Sequence, residues 1–432
     1  MKNRLVIIIL VIIISEIVAL LSGFLLFLHF SSMPAVKSNV ELTTYKQDLL
    51  KNKSCFNIKA DIELKGETVT IKEDITLERP KTKAILYMPS LNAAITKITK
   101  VSSDSGVKGT ETKDTNLIIT GEVPLTDISV EYEIRLVQGK GTLSYSDNIS
   151  YLTNFLMTPA VYRNGKPILT YKYPFGDPYI YNINNYYILF NTDKEMNICA
   201  PGVKKEHVFG TNKITSFEAE NLRDFPAVLY TKANFYSEKY KGINFNYIDS
   251  AESKDFVKAA FDFAEGSIGN YPYKSFFVVK APISLQGMEF SNMVFLSDSC
   301  FTNKAKLQSV TYHEVFHQWF YGLIGTDQLN EPFMDEGLVD YLALVLNKDE
   351  LKTSQTNHSF LDFSNKSLKE YLTREEYYRV AYNNSTAYFD SIHKKLGNDF
   401  YRLLKGLYKD KTFKIMYFSD FKEYFHKTFR GK

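Results

Sequence analysis

The chain has 432 residues, of which 44% are apolar and 15% aromatic, and a formal net charge of +3. That length exceeds one small domain and that apolar content can fill large cores, while near-neutrality leaves no nucleic-acid footprint. Three cysteines, Cys55, Cys199 and Cys300, without a C-x-x-C, exclude a disulfide framework and allow at most one bridge; three unpaired thiols fit equally well.

Residues 5–28 form a 24-residue, almost unbroken apolar run, long enough to span a bilayer as a helix. Lys2 and Arg4 precede it and the next basic residue is Lys37, so the positive-inside rule puts the amino terminus in the cytoplasm and the rest of the chain outside. The run exceeds the roughly 7–15-residue core of a signal peptide and reads as an uncleaved single-pass anchor, although the small residues around Ser31 to Ala35 leave cleavage open. Glu16 lies mid-span, where an ionised carboxylate costs about 2.5–3.5 kcal/mol on insertion scales. Residues 1–40 are thus a cytoplasmic tip, an anchor and a linker.

Residues 45–232 read as strands. Phe56 to Leu64 alternates apolar and polar at period two, and 117–120 and 128–134 repeat the signal. Gly139-Lys140-Gly141 and Asn164-Gly165-Lys166 are turn material between such runs. Short strands at these spacings predict a β-sandwich. The aromatic run Asp177-Pro178-Tyr179-Ile180-Tyr181, with Tyr186 and Tyr187, reads as strand in its core.

The pattern changes in residues 233–432. Asp249 to Glu252 predicts a capping box, followed by a helix with Phe256, Ala259, Ala260 and Phe263 on one face and Gly266 and Gly269 as stops. Phe276 to Val279 reads as a buried strand, Gln286 to Phe290 as a turn-like segment, and Met293 to Leu296 as a strand. A helix then follows, with Leu307, Val310, Val315, Phe316, Trp319, Phe320 and Leu323 at helical spacing and Gly322 and Gly325 as stops. On it stands His313-Glu314-Val315-Phe316-His317. Residues four apart share a helix face, so both imidazoles can reach one zinc ion, while Glu314, one residue round, is placed to act on a water rather than to ligate. Asn330 and Pro332 predict the start of a second helix over residues 331–346. It carries Glu336, with eighteen residues between His317 and it, and a helix hairpin would bring that carboxylate to the same ion as third ligand, with the fourth position open. Asp340, one turn on, is placed to orient a histidine ligand; a solvated helix carboxylate explains it as well. Chance occurrence on a surface helix is the competing account of the His-Glu pattern. Residues 347–379 are polar, and Phe413 to His426 predicts a last amphipathic helix.

These motifs resemble the gluzincin zinc peptidases, specifically the aminopeptidase N family. His313 to Phe320 is similar to that family's H-E-x-x-H-Q-W-F, and Asp335-Glu336-Gly337 stands where it has Asn-Glu-Gly. Gln286-Gly287-Met288-Glu289-Phe290 resembles its G-A-M-E-N or G-G-M-E-Y, with Gly287, Met288 and Glu289 matching. The resemblance implies that Gly287 and Met288 lie along a peptide substrate and that Glu289 binds its free α-amine. It also implies a tyrosine that stabilises the oxyanion; Tyr382 matches the position, although Asn384-Ser385 replaces the usual Lys-Gly and Tyr377 and Tyr378 are close competitors. The expected architecture is multidomain: a transmembrane helix, a saddle-like β-sandwich domain, then an α+β thermolysin-like peptidase domain with one zinc per chain. The family's further large helical domain has no counterpart in the sequence. The expected activity is that of a membrane-anchored aminopeptidase acting on peptides outside the cell. An endopeptidase on the same scaffold, and a diverged surface-binding module, are the alternatives.

Overall fold

The computed structural model of the protein describes residues 56–89, 95–146, 148–349 and 366–429, all within one unit, Leu49–Lys432. The apolar run at 5–28 and Cys55 lie outside the described residues. Among those residues no helix is long and apolar enough to cross a membrane, and Cys199 and Cys300 are buried free thiols.

The amino-terminal half is β-rich, as its period-two patterns require. Phe56–Lys65 buries Phe56, Ile58, Ala60 and Ile62 on one face, pairing antiparallel with Thr68–Tyr87 and parallel with Asn184–Asp193. The two short runs at 117–120 and 128–134 belong to a single strand, Asn116–Arg135, because Thr68–Tyr87 pairs along its whole length. The register slips between Thr76 and Lys83, which lets one long hairpin bend. These strands belong to a nine-stranded sheet, and Ile149–Leu152 and Ala227–Tyr230 to a five-stranded one. Ile71 and Ile188 of the first share a core with Leu152 and Leu229 of the second. The aromatic run 177–181 is not a strand. It is a loop in which the Tyr179 and Tyr181 rings stack 5.8 Å apart, and the strand begins later, at Asn184.

A mixed five-stranded sheet opens the carboxy-terminal half, in the order Phe235–Tyr240, Ile243–Ile248, Ser275–Ala281, Met293–Ser297, Gly287–Phe290. Its central strands are parallel and the last is an antiparallel edge. Helix α1, Lys254–Ser267, starts after a 3₁₀ turn at Ala251–Ser253 and lacks the expected Asp249 box; Asp249 instead has φ +52° and its carboxylate caps Asn234. Its buried face is Val257, Ala260, Phe261 and Ala264, one position round from the expected face; Phe256, Ala259 and Phe263 are half-buried at its rim. Helix α2, Lys304–Phe316, has its amino end fixed by Asn303, whose side chain accepts from the Lys306 amide at 3.1 Å. Helix α3, Phe333–Asn347, starts two residues later than expected, with Pro332 as N-cap. A short turn, Arg374–Tyr377, runs into a π-helical segment, Tyr378–Asn384, and then into α4, Ser385–Leu396. Two more helices follow, α5 at Asp399–Lys411 and α6 at Phe418–Thr428; α5 had no counterpart in the sequence reading.

One acid sits inside the β-sheet core. Glu73 is fully buried, accepting from the Tyr132 hydroxyl at 2.6 Å and the Met157 amide at 3.0 Å. Burial pushes its carboxyl from 4.5 up to about 8, against the pull of those two donors. The folded chain therefore holds a proton that the unfolded chain has lost between those values, and stability falls as pH rises through that window. Glu73→Gln removes the titration, so the melting temperature of the parent should fall relative to the variant between pH 4.5 and about 8. A constant difference across that range, read by thermal unfolding, would refute this assignment.

Candidate metal centre

Helix α2 presents His313 and Glu314 in its last turn, and His317 is its C-cap. Helix α3 packs against α2 and places Glu336 in its own first turn, where the positive end of the helix dipole favours a carboxylate. The His313 and His317 Nε2 atoms lie 3.1 Å apart. Glu336 Oε2 is 3.3 Å from the first and 3.6 Å from the second. Both Nδ1 atoms are turned outward: His313 Nδ1 meets Asp340 Oδ1 at 2.8 Å and His317 Nδ1 meets the Phe320 carbonyl at 3.1 Å. Facing acceptors, the Nδ1 atoms carry the protons, which leaves lone pairs on both Nε2 atoms. Glu336 Oε2 is buried and has no hydrogen-bond donor. Two imidazole lone pairs and a carboxylate oxygen thus converge on one point, a donor set that fits zinc and that only a cation satisfies. Asp340, which the sequence left between two readings, faces the His313 ring and is not merely solvated.

The surrounding field is acidic. Glu314 is buried, with Oε2 unpartnered, and burial pushes it up to about 7 despite the nearby histidines. Burial likewise pushes Glu289 up to about 8 and Asp335 up to about 7. Gln328 bridges these last two, donating to Glu289 Oε1 at 3.1 Å and to Asp335 Oδ2 at 2.8 Å. Among the described residues no lysine or arginine forms an ion pair with Glu289, Glu314, Asp335 or Glu336.

The other expected residues fall around this point. Glu289 is on the edge strand Gly287–Phe290, and with Glu314 and His317 it makes a second group whose ligand atoms lie within 4.8 Å of one another. Gly287 lies against Glu314; a Cβ there would overlap its carboxylate. Met288 instead packs in an apolar cluster with Tyr151, Phe277 and Phe295. Tyr382, in the π-helical segment, has its ring parallel to that of His313, 6.1 Å away. Tyr377 and Tyr378 flank it at 5.8 and 5.2 Å, so Tyr382 is the one stacked on His313. Helix α2 stops at Phe316, so Trp319, Phe320 and Leu323 are not on it. The backbone turns back, with the Gly322 amide bonded to the His317 carbonyl at 2.9 Å, and the Trp319 indole donates to the Gly269 carbonyl at 2.8 Å.

The sequence reading missed Asp177 and Arg223-Asp224. Asp177 lies in the aromatic loop, and its carboxyl is raised first by burial and then by Glu289, Glu336 and Asp335, so it borders this centre. The neighbouring Gly176 abuts Tyr377 and Leu368. An acid between a glycine and a proline inside an aromatic run was the available signal. Arg223 is 1% exposed, and a lone Arg-Asp pair in a strand-rich region offers no pattern by which to find it.

Comparison with known proteins agrees with this geometry. Residues 253–430 match the model of the peptidase family M1 domain. No curated protein matches the chain. Among solved structures, aminopeptidase A of Legionella pneumophila, in complex with aspartic acid, superposes with a TM-score of 0.64 at 13% identity, covering 86% of this chain and 47% of that one. A mutant M1 zinc metallopeptidase of Deinococcus radiodurans gives 0.61 at 11% identity, covering 87% of this chain and 90% of that one. At these identities the likeness is one of fold, and the chain spans about half the length of the Legionella structure. Residues 253–430 are thus similar to a family M1 peptidase domain, and the three converging ligand atoms fit the zinc of a metallopeptidase.

Proposed function

We propose that the protein is a membrane-anchored, zinc-dependent aminopeptidase that removes amino-terminal residues from peptides outside the cell. The observation that carries the reading is the convergence of His313 Nε2, His317 Nε2 and Glu336 Oε2 beside the unpartnered carboxylate oxygen of Glu314. One zinc per chain would be held by His313, His317 and Glu336; when bound, it supplies Lewis-acid polarisation of the scissile carbonyl and acidifies a water. Glu314 takes the proton of the attacking water and passes it to the leaving amine. Its raised pKa, about 7, suits a group that must accept and then release a proton near neutrality. Tyr382, parallel to the His313 ring, donates its hydroxyl proton in a hydrogen bond to the developing oxyanion. Glu289, on the edge strand, pairs with the substrate's α-ammonium. A cation is what its buried environment lacks, and the charge-assisted hydrogen bond fixes the amino-terminal residue against the scissile bond.

The anchor reading rests on the apolar run at 5–28 and the flanking Lys2 and Arg4. Residues 45–232 and 233–432 are proposed as the β-rich and catalytic domains.

Three measurements test these assignments. Gly287→Ala should push the Glu314 carboxylate aside and lower kcat by about 10²-fold while zinc content stays at that of the parent; unchanged turnover would separate Gly287 from the mechanism.

Peptides with free and acetylated amino termini, compared by kcat/KM, test the exopeptidase assignment. The parent should strongly favour the free amine, because acetylation leaves Glu289 buried and unpaired. Glu289→Ala should erase most of that preference, and Glu314→Gln should keep zinc but lose roughly 10²–10⁴-fold in rate. Internal cleavage of blocked peptides at equal rates would favour an endopeptidase, and near-parental rates in zinc-loaded Glu314→Gln would remove the general-base role.

Protease treatment of intact cells should release a large catalytic fragment; protection of that fragment until lysis would overturn the orientation.

A further inference from the structure

His317 owes its orientation to the Phe320 carbonyl, which its Nδ1 meets at 3.1 Å. That carbonyl shares a peptide plane with the Tyr321 amide, so the backbone angles at Tyr321 set where it points. Tyr321 has φ +133°, a region that a bulky residue rarely adopts. Such a conformation persists only where the surroundings over-determine it, and here they do. The Tyr321 amide donates to the Ile324 carbonyl at 2.9 Å. Its carbonyl accepts from Arg223 Nε, and its hydroxyl donates to Asp224 Oδ1 at 2.8 Å. Two consecutive residues, about a hundred positions upstream, therefore grip this tyrosine at both ends.

The grip is rigid. Arg223 is fully buried, and its other nitrogens donate to the carbonyls of Tyr181 at 2.8 Å, Leu323 at 3.1 Å and Lys414 at 2.9 Å. Its guanidinium fills the space that a Cβ on residue 325 would need, which explains Gly325. Among the described residues no carboxylate forms an ion pair with it. It is a desolvated cation neutralised by backbone dipoles, and only a planar fork of donors reaches so many carbonyls at once. Asp224 Oδ1 also accepts from the Ser291 amide at 2.9 Å and hydroxyl at 2.7 Å. The same carboxylate thus ties the turn after α2 to the edge strand that carries Glu289.

We propose that Arg223 and Asp224 are positioning residues for the metal centre, which hold the Tyr321 backbone so that the Phe320 carbonyl fixes the ring of His317. Both residues lie outside the matched segment 253–430, so the peptidase domain takes part of its ligand geometry from the β-rich half. The inference rests on the zinc reading above.

Zinc affinity of the full chain, measured by competition with a chromophoric chelator, and the visible spectrum of the cobalt-substituted protein test it without recourse to activity. Arg223→Lys keeps the charge but loses the fork, and should weaken zinc binding by about 10–100-fold, as loss of an outer-shell partner does, and shift the cobalt bands. Tyr321→Phe, which removes only the hydroxyl grip, should move both readouts in the same direction by a smaller factor, and decides the matter if Arg223→Lys does not fold. Tyr132→Phe, which deletes a buried hydrogen bond in the β-sheet core, should lower the melting temperature and leave zinc affinity and the cobalt spectrum as in the parent. Parental zinc binding and spectrum in the Arg223 and Tyr321 variants, or equal losses in the Tyr132 control, would overturn the positioning role alone. A parent that binds no zinc would remove the zinc reading, and this inference with it.

Discussion

Two imidazole nitrogens and a buried carboxylate oxygen, all within 4.8 Å, face one another with no hydrogen between them. In a low-dielectric interior such lone pairs and negative charge repel, and a fold that brings them together is unfavourable unless a cation completes it. The nearby features serve the same constraint. Asp340 and the Phe320 carbonyl occupy the outer nitrogens so that the inner ones stay free, and the first turn of α3 supplies a favourable field for Glu336. Around this point lies an excess of acid, Glu289, Glu314, Asp335 and Asp177, that no described basic side chain balances by an ion pair. In the proposed function, a peptide entering with its α-ammonium would bring a charge of the missing sign, so that recognition and electrostatic relief would coincide.

The two halves of the described chain are interdependent at this centre. The edge strand Gly287–Phe290 is tied to the turn after α2 by Gln318, which donates to the Phe290 carbonyl at 3.0 Å and accepts from the Asn292 amide at 2.9 Å. Both are tied to the β-rich half through Asp224. The loop at 171–178 is fastened to the segment that precedes Tyr382: the Tyr173 hydroxyl donates to the Tyr371 carbonyl at 2.7 Å, and Arg374 donates to the Pro174 carbonyl at 3.1 Å. The walls of the centre therefore come from segments far apart in sequence, held in register by side chains that bond to backbone.

Local pattern was a good guide where one face of an element meets one core. Period-two alternation located Phe56–Lys65, helical spacing located the body of α2, and the start signals at Asn330 and Pro332 located α3 to within two or so residues. It misled where apolar residues continue past the end of an element. Trp319, Phe320 and Leu323 keep the helical spacing yet follow a chain reversal, because a buried reversal needs apolar cover as much as a helix does. The capping box expected at Asp249 is absent because that carboxylate bonds to Asn234 instead. The face of α1 was off by one position, since Phe256 and Phe263 cover the rim rather than the floor.

Sequence by itself named the three side chains that converge and the carboxylate beside them, the ligands and base of the proposed reaction. Helix geometry puts both histidines of H-E-x-x-H on one face, a hairpin to the next helix brings in a glutamate with eighteen residues between it and His317, and the resemblance carried by the flanking residues supplied Glu289 and Tyr382. Tertiary structure alone decided what surrounds them. That Asp340 faces His313, that Tyr382 rather than Tyr378 stacks on it, that Asp177 borders the acids, and that Arg223 and Asp224 hold Tyr321 are all contacts between residues tens to hundreds of positions apart. A ligand's place on a helix follows from a period of a few residues. The orientation of its ring depends on whichever carbonyl or carboxylate the rest of the fold brings beside it, and no local pattern records that.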